Sequence, residues 1–341
     1  YVEKGMIDGG GLAKKRVMSY GDYPDDTYTG TSNGDYHKKC IVRSNGVVEN
    51  FALGVDKATF IPLEGKDFMD PQYLSEEVDH SWFTYPDGTK TLHPIEGVTD
   101  PKFTGPKSGT KEKWEFLDED KKYSWIKSPT FKGKTAEVGP LAKYIVVYTK
   151  VKQGIIKDPT WAESMIVRQI DTVSQVLGVP AHVWMTTMVG RTACRGLDAQ
   201  VAANISQYFF NKLVSNIKNG DTTVADMTKF EPNTWDKDAK GVGLVDAPRG
   251  GLGHWIHIKD GRSANYQCIV PSTWNACPKT AANEHGAYED AMIDTHVKIA
   301  DKPLEILKVI HSFDPCLACA THLYNKKGEK IVSVNTDALC K

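Results

Sequence analysis

The sequence predicts an α+β fold, mainly α, in which a core of long helices carries antiparallel β-hairpins and extended surface excursions. Three observations predict it. Residues 158–178 and 192–220 place apolar side chains at helical spacing between a start signal and a glycine stop. Two β-like runs flank Asp260-Gly261, a hairpin signal. Residues 85–140 are polar, rich in Lys, Pro, Gly and Thr. That composition suits long surface excursions with few regular elements, with paired strands or a linker as alternatives.

In chain order, residues 1–65 are rich in Gly, Tyr and Asp, and "CIVRSNGVVENF" (40–51) reads as a hairpin turning at Asn45-Gly46. Trp114 and Trp125 argue against disorder in the polar stretch, because a solvated indole is costly. "DPTWAESMIVRQIDTVSQVLG" opens on Asp-Pro-Thr and stops at Gly178. In the next helix Val201, Ile205, Phe209, Leu213 and Ile217 recur every four residues, and Gly220 follows as a C-cap. Such a stripe predicts the core of a helical bundle. The two β-like runs occupy 252–275, and helices return at about 280–297 and 303–311. No internal repeat is visible. The expected organisation is a β and irregular periphery over 1–150 and a helical bundle over 151–240. A hairpin-plus-helix region over 241–322 and an extension over 323–341 complete it.

Composition excludes some classes. The chain has 341 residues, 40% hydrophobic and 25% charged, with a net charge of −1. That is enough for a large core or two domains. No basic stripe suggests nucleic acid, no acidic block suggests a disordered tail, and no apolar run is long enough to span a bilayer. The chain opens on Tyr1 without a signal peptide, so a missing true N-terminus is expected. Seven irregularly spaced cysteines do not make a small disulfide scaffold.

Only Cys316 and Cys319 form a chelating pair, inside "SFDPCLACATH" (312–322). Thiols three apart can form a disulfide or, as thiolates, share a soft metal. Four uses compete at this point: a pair of buried apolar side chains, a zinc site, a redox pair and a transition-metal site. Structural zinc wants four ligands, and no second CxxC exists here. A redox CxxC favours a thioredoxin-like βαβ setting, which the neighbouring pattern lacks. Haem attachment needs His directly after the second Cys, where this chain has Ala320. The flanks favour the transition metal. Pro315 keeps Asp314 out of helical geometry, so the motif begins in a fixed, extended turn. A carboxylate so near two thiolates needs a cation, and Arg249 in "APRGGLGHW" (247–255) is the candidate, on a backbone that glycines let bend sharply. A surface charge is the ordinary alternative for a lone Arg.

These residues resemble the large subunit of nickel–iron hydrogenases. "DPCLACATH" is similar to that family's C-terminal metal signature. "YSWIKSPTF" (123–131), "EVGPLAKY" (137–144), "GRTACRGLDA" (190–199), "APRGGLGHW", "YQCIVPSTWNACP" (266–278) and "GAYEDAMIDTHV" (286–297) resemble the family in the same order. The tail most resembles membrane-bound, respiratory uptake enzymes. The resemblance implies an oxidoreductase that cleaves H₂ heterolytically, in the uptake direction. It implies Cys316 as a terminal nickel ligand and Cys319 as a thiolate bridging nickel to iron, with cyanide and carbon monoxide on the iron. Ser272 and the Arg249 backbone would donate hydrogen bonds to a cyanide, and Pro248 would line that pocket. The Arg249 guanidinium would lie over the open metal site, held by Asp314, either as a base or to tune the field. His322 would bind a nearby Mg²⁺, with the backbone carbonyl of Cys268 as another ligand. Dihydrogen has no handle for hydrogen bonding, so its cleavage needs a Lewis acid for the hydride and a base for the proton.

Two departures matter. The family's first cysteine pair and its proton-relay glutamate have no counterpart here, so the chain would carry half of the metal site, as a C-terminal fragment. A metal-free relative, like the related complex I subunit, has no reason to keep "DPCLACATH". The chain also runs past His322 as "LYNKKGEKIVSVNTDALCK". The resemblance implies a maturation endopeptidase that removes that extension after nickel insertion, so a precursor form is expected. Its expected shape is a short hairpin around "KKGEK" seated over the site, with Cys340 an incidental thiol. Implied partners are the iron–sulfur small subunit, the endopeptidase, nickel chaperones and, through the small subunit, a membrane cytochrome b. The implied location is the periplasmic side of the cell membrane. The alternative from another class is a non-catalytic structural or binding fragment whose CxxC is zinc-bound or empty.

Overall fold

The computed structural model describes residues 8–25, 39–104, 120–225, 227–228, 230–293, 295–299 and 303–316, with the backbone of 323–324 and 330–332. It is an α+β chain. A short helix α1 (Leu12–Lys15) leads into β1 (Arg16–Ser19), β2 (Asp22–Pro24), β3 (Cys40–Val42), β4 (Gly46–Glu49) and β5 (Thr59–Ile61). β1, β4 and β5 form one antiparallel sheet, and β2 pairs with β3.

The hairpin expected at 40–51 is therefore corrected. β3 and β4 are both strands, but each pairs elsewhere. The intervening turn is claimed by long-range contacts. Lys150 Nζ donates to the carbonyls of Arg43 (2.6 Å) and Asn45 (3.3 Å) and to Asn45 Oδ1 (3.0 Å), while Asn45 Nδ2 donates to the Leu63 carbonyl at 3.1 Å. Local turn chemistry yields to these part-buried bonds.

The polar stretch holds paired strands. β6 (Leu74–Glu77), β8 (Thr91–Leu92) and β10 (Ser128–Phe131) form a sheet in the order β10-β6-β8, and β7 (Phe83–Thr84) pairs with β9 (Asp100–Pro101). Trp125 stacks on Phe103 and meets Trp82 edge-on, which explains its local order. Trp114 lies outside the described residues.

Helix α2 (Pro140–Lys152) was not expected from the sequence. Every residue from Pro140 to Lys150 is buried, so the helix has no amphipathic stripe to betray it. Proline at its first position was the one available signal. Helix α3 (Trp161–Leu177) matches its forecast closely. Thr160 and Glu163 form a reciprocal capping box, and Gly178 ends the helix with φ +67°. Helix α4 (Ala181–Met185) precedes α5 (Met188–Lys218), whose C-cap is Asn219 rather than Gly220. The bundle forecast for α5 holds over its first half only. Val201 and Ile205 are buried, but Leu213 is 56% and Ile217 54% exposed.

The period change near 240 is a three-stranded antiparallel sheet of β11 (Asp238–Ala247), β12 (Gly250–Lys259) and β13 (Arg262–Ile269). Asp260 (φ +50°) and Gly261 (φ +71°) make the tight β12–β13 turn that the Asp-Gly pair demands. Pro271 starts a helix, α6 (Pro271–Asn275), where the sequence suggested continued strand. α7 (Ala287–Met292) and α8 (Leu304–Ser312) follow, the former shorter than expected. Beyond them β14 (Leu323–Tyr324) pairs antiparallel with β15 (Lys330–Val332), the short hairpin expected of the extension. The seat of that extension and Cys340 fall outside the described residues.

Three apolar clusters hold the scaffold. One surrounds α2 and reaches α3, α4 and the first half of α5. A second, with Trp255, Trp274 and Phe131, joins the β1, β10 and β12 sheets. A third packs Leu12, Met188, Ala287, Ala291, Val309 and Phe313 beneath the end of α8. Among the described residues no helix is long and apolar enough to cross a membrane.

Candidate active site

Two elements converge on the segment that carries Cys316. The first is the β11–β12 hairpin. Ala247 pairs with Gly250, leaving Pro248 and Arg249 as its two-residue tip. The tip is pressed onto the start of α2. Gly250 has φ +120°, and a Cβ there would lie 2.4 Å from the Gly139 nitrogen. Only glycine permits that approach. Asp246 fixes the strand just before the tip. Its buried carboxylate accepts from the Ser19 hydroxyl, from Ser44 Oγ (3.2 Å) and from the backbone N–H of Tyr20 and Gly21 (both 3.2 Å). Burial pushes the Asp246 carboxyl up to about 6, against the opposing pull of Lys143.

The second element is the end of α8. Asp314 follows Phe313 with φ +55°. The extended geometry expected from Pro315 is thus corrected to a left-handed one, which Asp tolerates better than most residues. The Asp314 amide donates to the His311 carbonyl at 3.0 Å, closing the turn.

Arg249 and Asp314 meet. Arg249 Nε donates to the Asp314 backbone carbonyl at 2.8 Å and lies 3.3 Å from carboxylate Oδ2. Each side chain is 41% exposed. A second guanidinium reaches the same turn from α5. Arg195 donates through a terminal nitrogen to the Ser312 carbonyl at 2.6 Å, and its Nε lies 3.9 Å from Asp314 Oδ2. Burial draws the Arg195 pKa down, with the Asp314 charge opposing. One helical turn earlier, Arg191 is fully enclosed. It pairs with both Glu137 oxygens at 2.7 and 2.8 Å, donates to the Gly9 and Gly10 carbonyls, and lies 3.9 Å over the Phe313 ring.

Tyr288 completes the wall. Its ring meets that of Phe313 at 4.7 Å. Burial and the nearby Asp314 charge raise its pKa, and the neighbouring Ser272 side chain works in the opposite direction. Ser272 on α6 thereby joins the Arg249–Asp314 group. Cys316, two residues beyond Asp314, is part-exposed. Pro248 stands exposed beside Arg249. Cys268 on β13 sits opposite His254, with Sγ 3.2 Å from His254 Nδ1, and the Tyr266 hydroxyl contacts the same nitrogen. Cys319 and His322 lie outside the described residues. Among the described residues no three His, Cys, Asp or Glu side chains converge as a metal cage.

Sequence reasoning did not single out Arg191, Arg195 or Tyr288. The arginines carried a usable signal, since a four-residue spacing puts both on one helix face. Tyr288 had none, because its role depends on where α6 and α8 arrive.

Fold and site together define a class: an α+β scaffold that uses an arginine-tipped hairpin and an arginine-bearing helix to fix a cysteine-bearing turn. Comparison with known proteins makes it particular. The model of the family "Nickel-dependent hydrogenase" matches residues 3–322. The uptake hydrogenase large subunit of Rhizobium leguminosarum bv. viciae is 43% identical over 333 residues, covering 97% of this chain and 52% of that protein. The hydrogenase-1 large chain of Escherichia coli K12 is 40% identical over 327 residues, covering 96% and 51%. In three dimensions a Ni-Fe-Se hydrogenase from Desulfomicrobium baculatum superposes with TM-score 0.63 at 24% identity, covering 93% of this chain and 54% of the other. This chain belongs to the nickel-dependent hydrogenase family. It spans about half the length of the curated relatives it matches.

Proposed function

We propose that this chain is the part of a nickel–iron hydrogenase large subunit that supplies one half of the metal site, in an enzyme that oxidises H₂ to protons and electrons. The observation that carries the proposal is the Arg249–Asp314 contact two residues before Cys316, in a member of this family. The donor set suits the group. Cysteine thiolates are soft ligands for nickel and iron, and two guanidiniums beside the turn complement the negative charge of thiolates and cyanide.

Cys316 and Cys319 would hold the metals, with cyanide and carbon monoxide on the iron. His322 and the Cys268 carbonyl would bind Mg²⁺. When bound, the nickel–iron centre supplies the electron-pair acceptor for H₂ heterolysis. The chain's own residues do the rest. A cysteine thiolate accepts the proton. Arg249 serves as a fixed positive charge whose orientation Asp314 sets through Nε. Ser272 and the Arg249 backbone would donate hydrogen bonds to a cyanide, and Pro248 would line that pocket and exclude water.

Electrons would leave through an iron–sulfur small subunit and reach a membrane cytochrome b on the periplasmic side. Nickel chaperones and an endopeptidase would complete maturation by removing residues 323–341. The test is elemental analysis and infrared spectroscopy of the complete subunit with its partner. Nickel, iron and metal-bound cyanide and carbon monoxide bands are expected. Zinc alone, or no metal, would sink the proposal. Mass spectrometry after incubation with nickel and the endopeptidase should show the extension gone, and an active enzyme that keeps it would contradict that step.

A further inference from the structure

Resting on that reading, we infer that Arg195 is a positioning residue that sets the Asp314–Arg249 pair from the far side. The argument is geometric. The Asp314 carboxylate lies between two guanidiniums on different elements, with Oδ2 3.3 Å from Arg249 Nε and 3.9 Å from Arg195 Nε. Arg249 arrives on a hairpin tip, and Arg195 on a helix. Arg195 also grips the backbone before the turn, through the Ser312 carbonyl at 2.6 Å. It therefore constrains both the carboxylate and the path of the chain into Cys316.

Its helix cannot easily shift to compensate. One turn away Arg191 is locked by Glu137 and two backbone carbonyls, and Cys194 between them is buried. The Arg195 Nε atom is shielded from solvent without a hydrogen bond among the described residues, so the Asp314 charge faces it directly. The Arg249 guanidinium adds repulsion and Tyr288 lies close by. Three charges and one phenol thus share a small, part-buried volume. Removing the α5 cation leaves Asp314 free to rotate wholly onto Arg249, moving the guanidinium that the reaction needs in place.

The experiment uses the complete subunit with its small-subunit partner. Variants are Arg195→Gln, Arg195→Lys, Asp314→Asn and the double variant R195Q/D314N. R195Q should keep nickel, iron and the infrared bands, with the cyanide bands shifted, while kcat falls by about tenfold or more. R195K, which keeps a charge but not the planar fork, should recover part of the loss. In the D314N background R195Q should cost clearly less than it does in wild type, because part of the effect of Arg195 runs through the Asp314 carboxylate and only the Ser312 contact is left to lose. Turnover of R195Q within about twofold of wild type overturns the inference. So does an equal, additive fall in the D314N background. Should R195Q lose its metal, R195K decides: loaded with reduced kcat supports positioning, whereas full activity or the same metal loss shows a role in folding alone. Absence of nickel from the wild-type complex would instead overturn the proposed function, and with it the inference that rests on it.

Discussion

Arg249 Nε donates to the backbone carbonyl of Asp314 at 2.8 Å, with the Asp314 carboxylate 3.3 Å away, although the residues are 65 apart in sequence. The contact ties a hairpin tip to the turn that leads into Cys316. An ammonium can satisfy the charge but cannot hold a carbonyl and a carboxylate in one plane. Arg249→Lys should therefore leave nickel and iron content unchanged and lower H₂ turnover by about tenfold or more. Near-normal turnover would remove Arg249 from the mechanism.

The hairpin tip depends on glycine. Gly250→Ala would place a methyl 2.4 Å from the Gly139 nitrogen, at φ +120° where a side chain is strained. A loss of about 2–4 kcal/mol is expected from the clash and backbone strain together. Gly243→Ala on the paired strand β11 meets nothing within 4 Å and should stay within about 0.5 kcal/mol of wild type. Urea midpoints of the two variants make the comparison. Equal midpoints would mean the hairpin can lift off α2 freely.

The Arg191–Glu137 pair is enclosed, with side chains 2% and 1% exposed. Glu137→Gln leaves a buried guanidinium without its counter-charge, which should cost about 3–5 kcal/mol. The variant should unfold at markedly lower urea. An unchanged midpoint would show that water reaches Arg191 once the carboxylate is gone.

Asp246 makes stability pH-dependent. Its carboxyl is raised to about 6 in the fold, against roughly 3.9 in an unfolded chain. Between these values the native state holds more protons than the unfolded state. The stabilising share is therefore complete below about pH 4 and is lost as pH rises through about 6. Asp246→Asn does not titrate. The stability of wild type relative to the variant should fall by roughly 1–3 kcal/mol between pH 4 and pH 7. Thermal unfolding of both proteins across that range measures it, and parallel curves would refute the assignment.

Much of the fold was legible because it is written in local chemistry. The Thr160–Glu163 box and Gly178 bracket α3, and Asp260-Gly261 turns β12 into β13, each by contacts within a few residues. Helix α2 was invisible for the opposite reason. A helix buried on all sides has no apolar stripe, and its Lys143 and Lys150 look like surface charges until Asp22, Asp198 and the Arg43 and Asn45 carbonyls are placed around them. The 40–51 hairpin failed because Asn45 serves Leu63 and Lys150 rather than its own turn.

The candidate site divides the same way. The amino-acid sequence alone offered Cys316 and Cys319 as a candidate chelating pair, asked for a cation near Asp314, and offered Arg249 as the candidate to supply it, since thiolate spacing, proline and glycine act locally. Only the tertiary structure decided that Arg195 shares Asp314, that Tyr288 meets Ser272, and that Gly139 receives the hairpin tip. Those relationships join residues from 16 to 119 positions apart, and their energy depends on distance and burial, which exist only once the chain has packed.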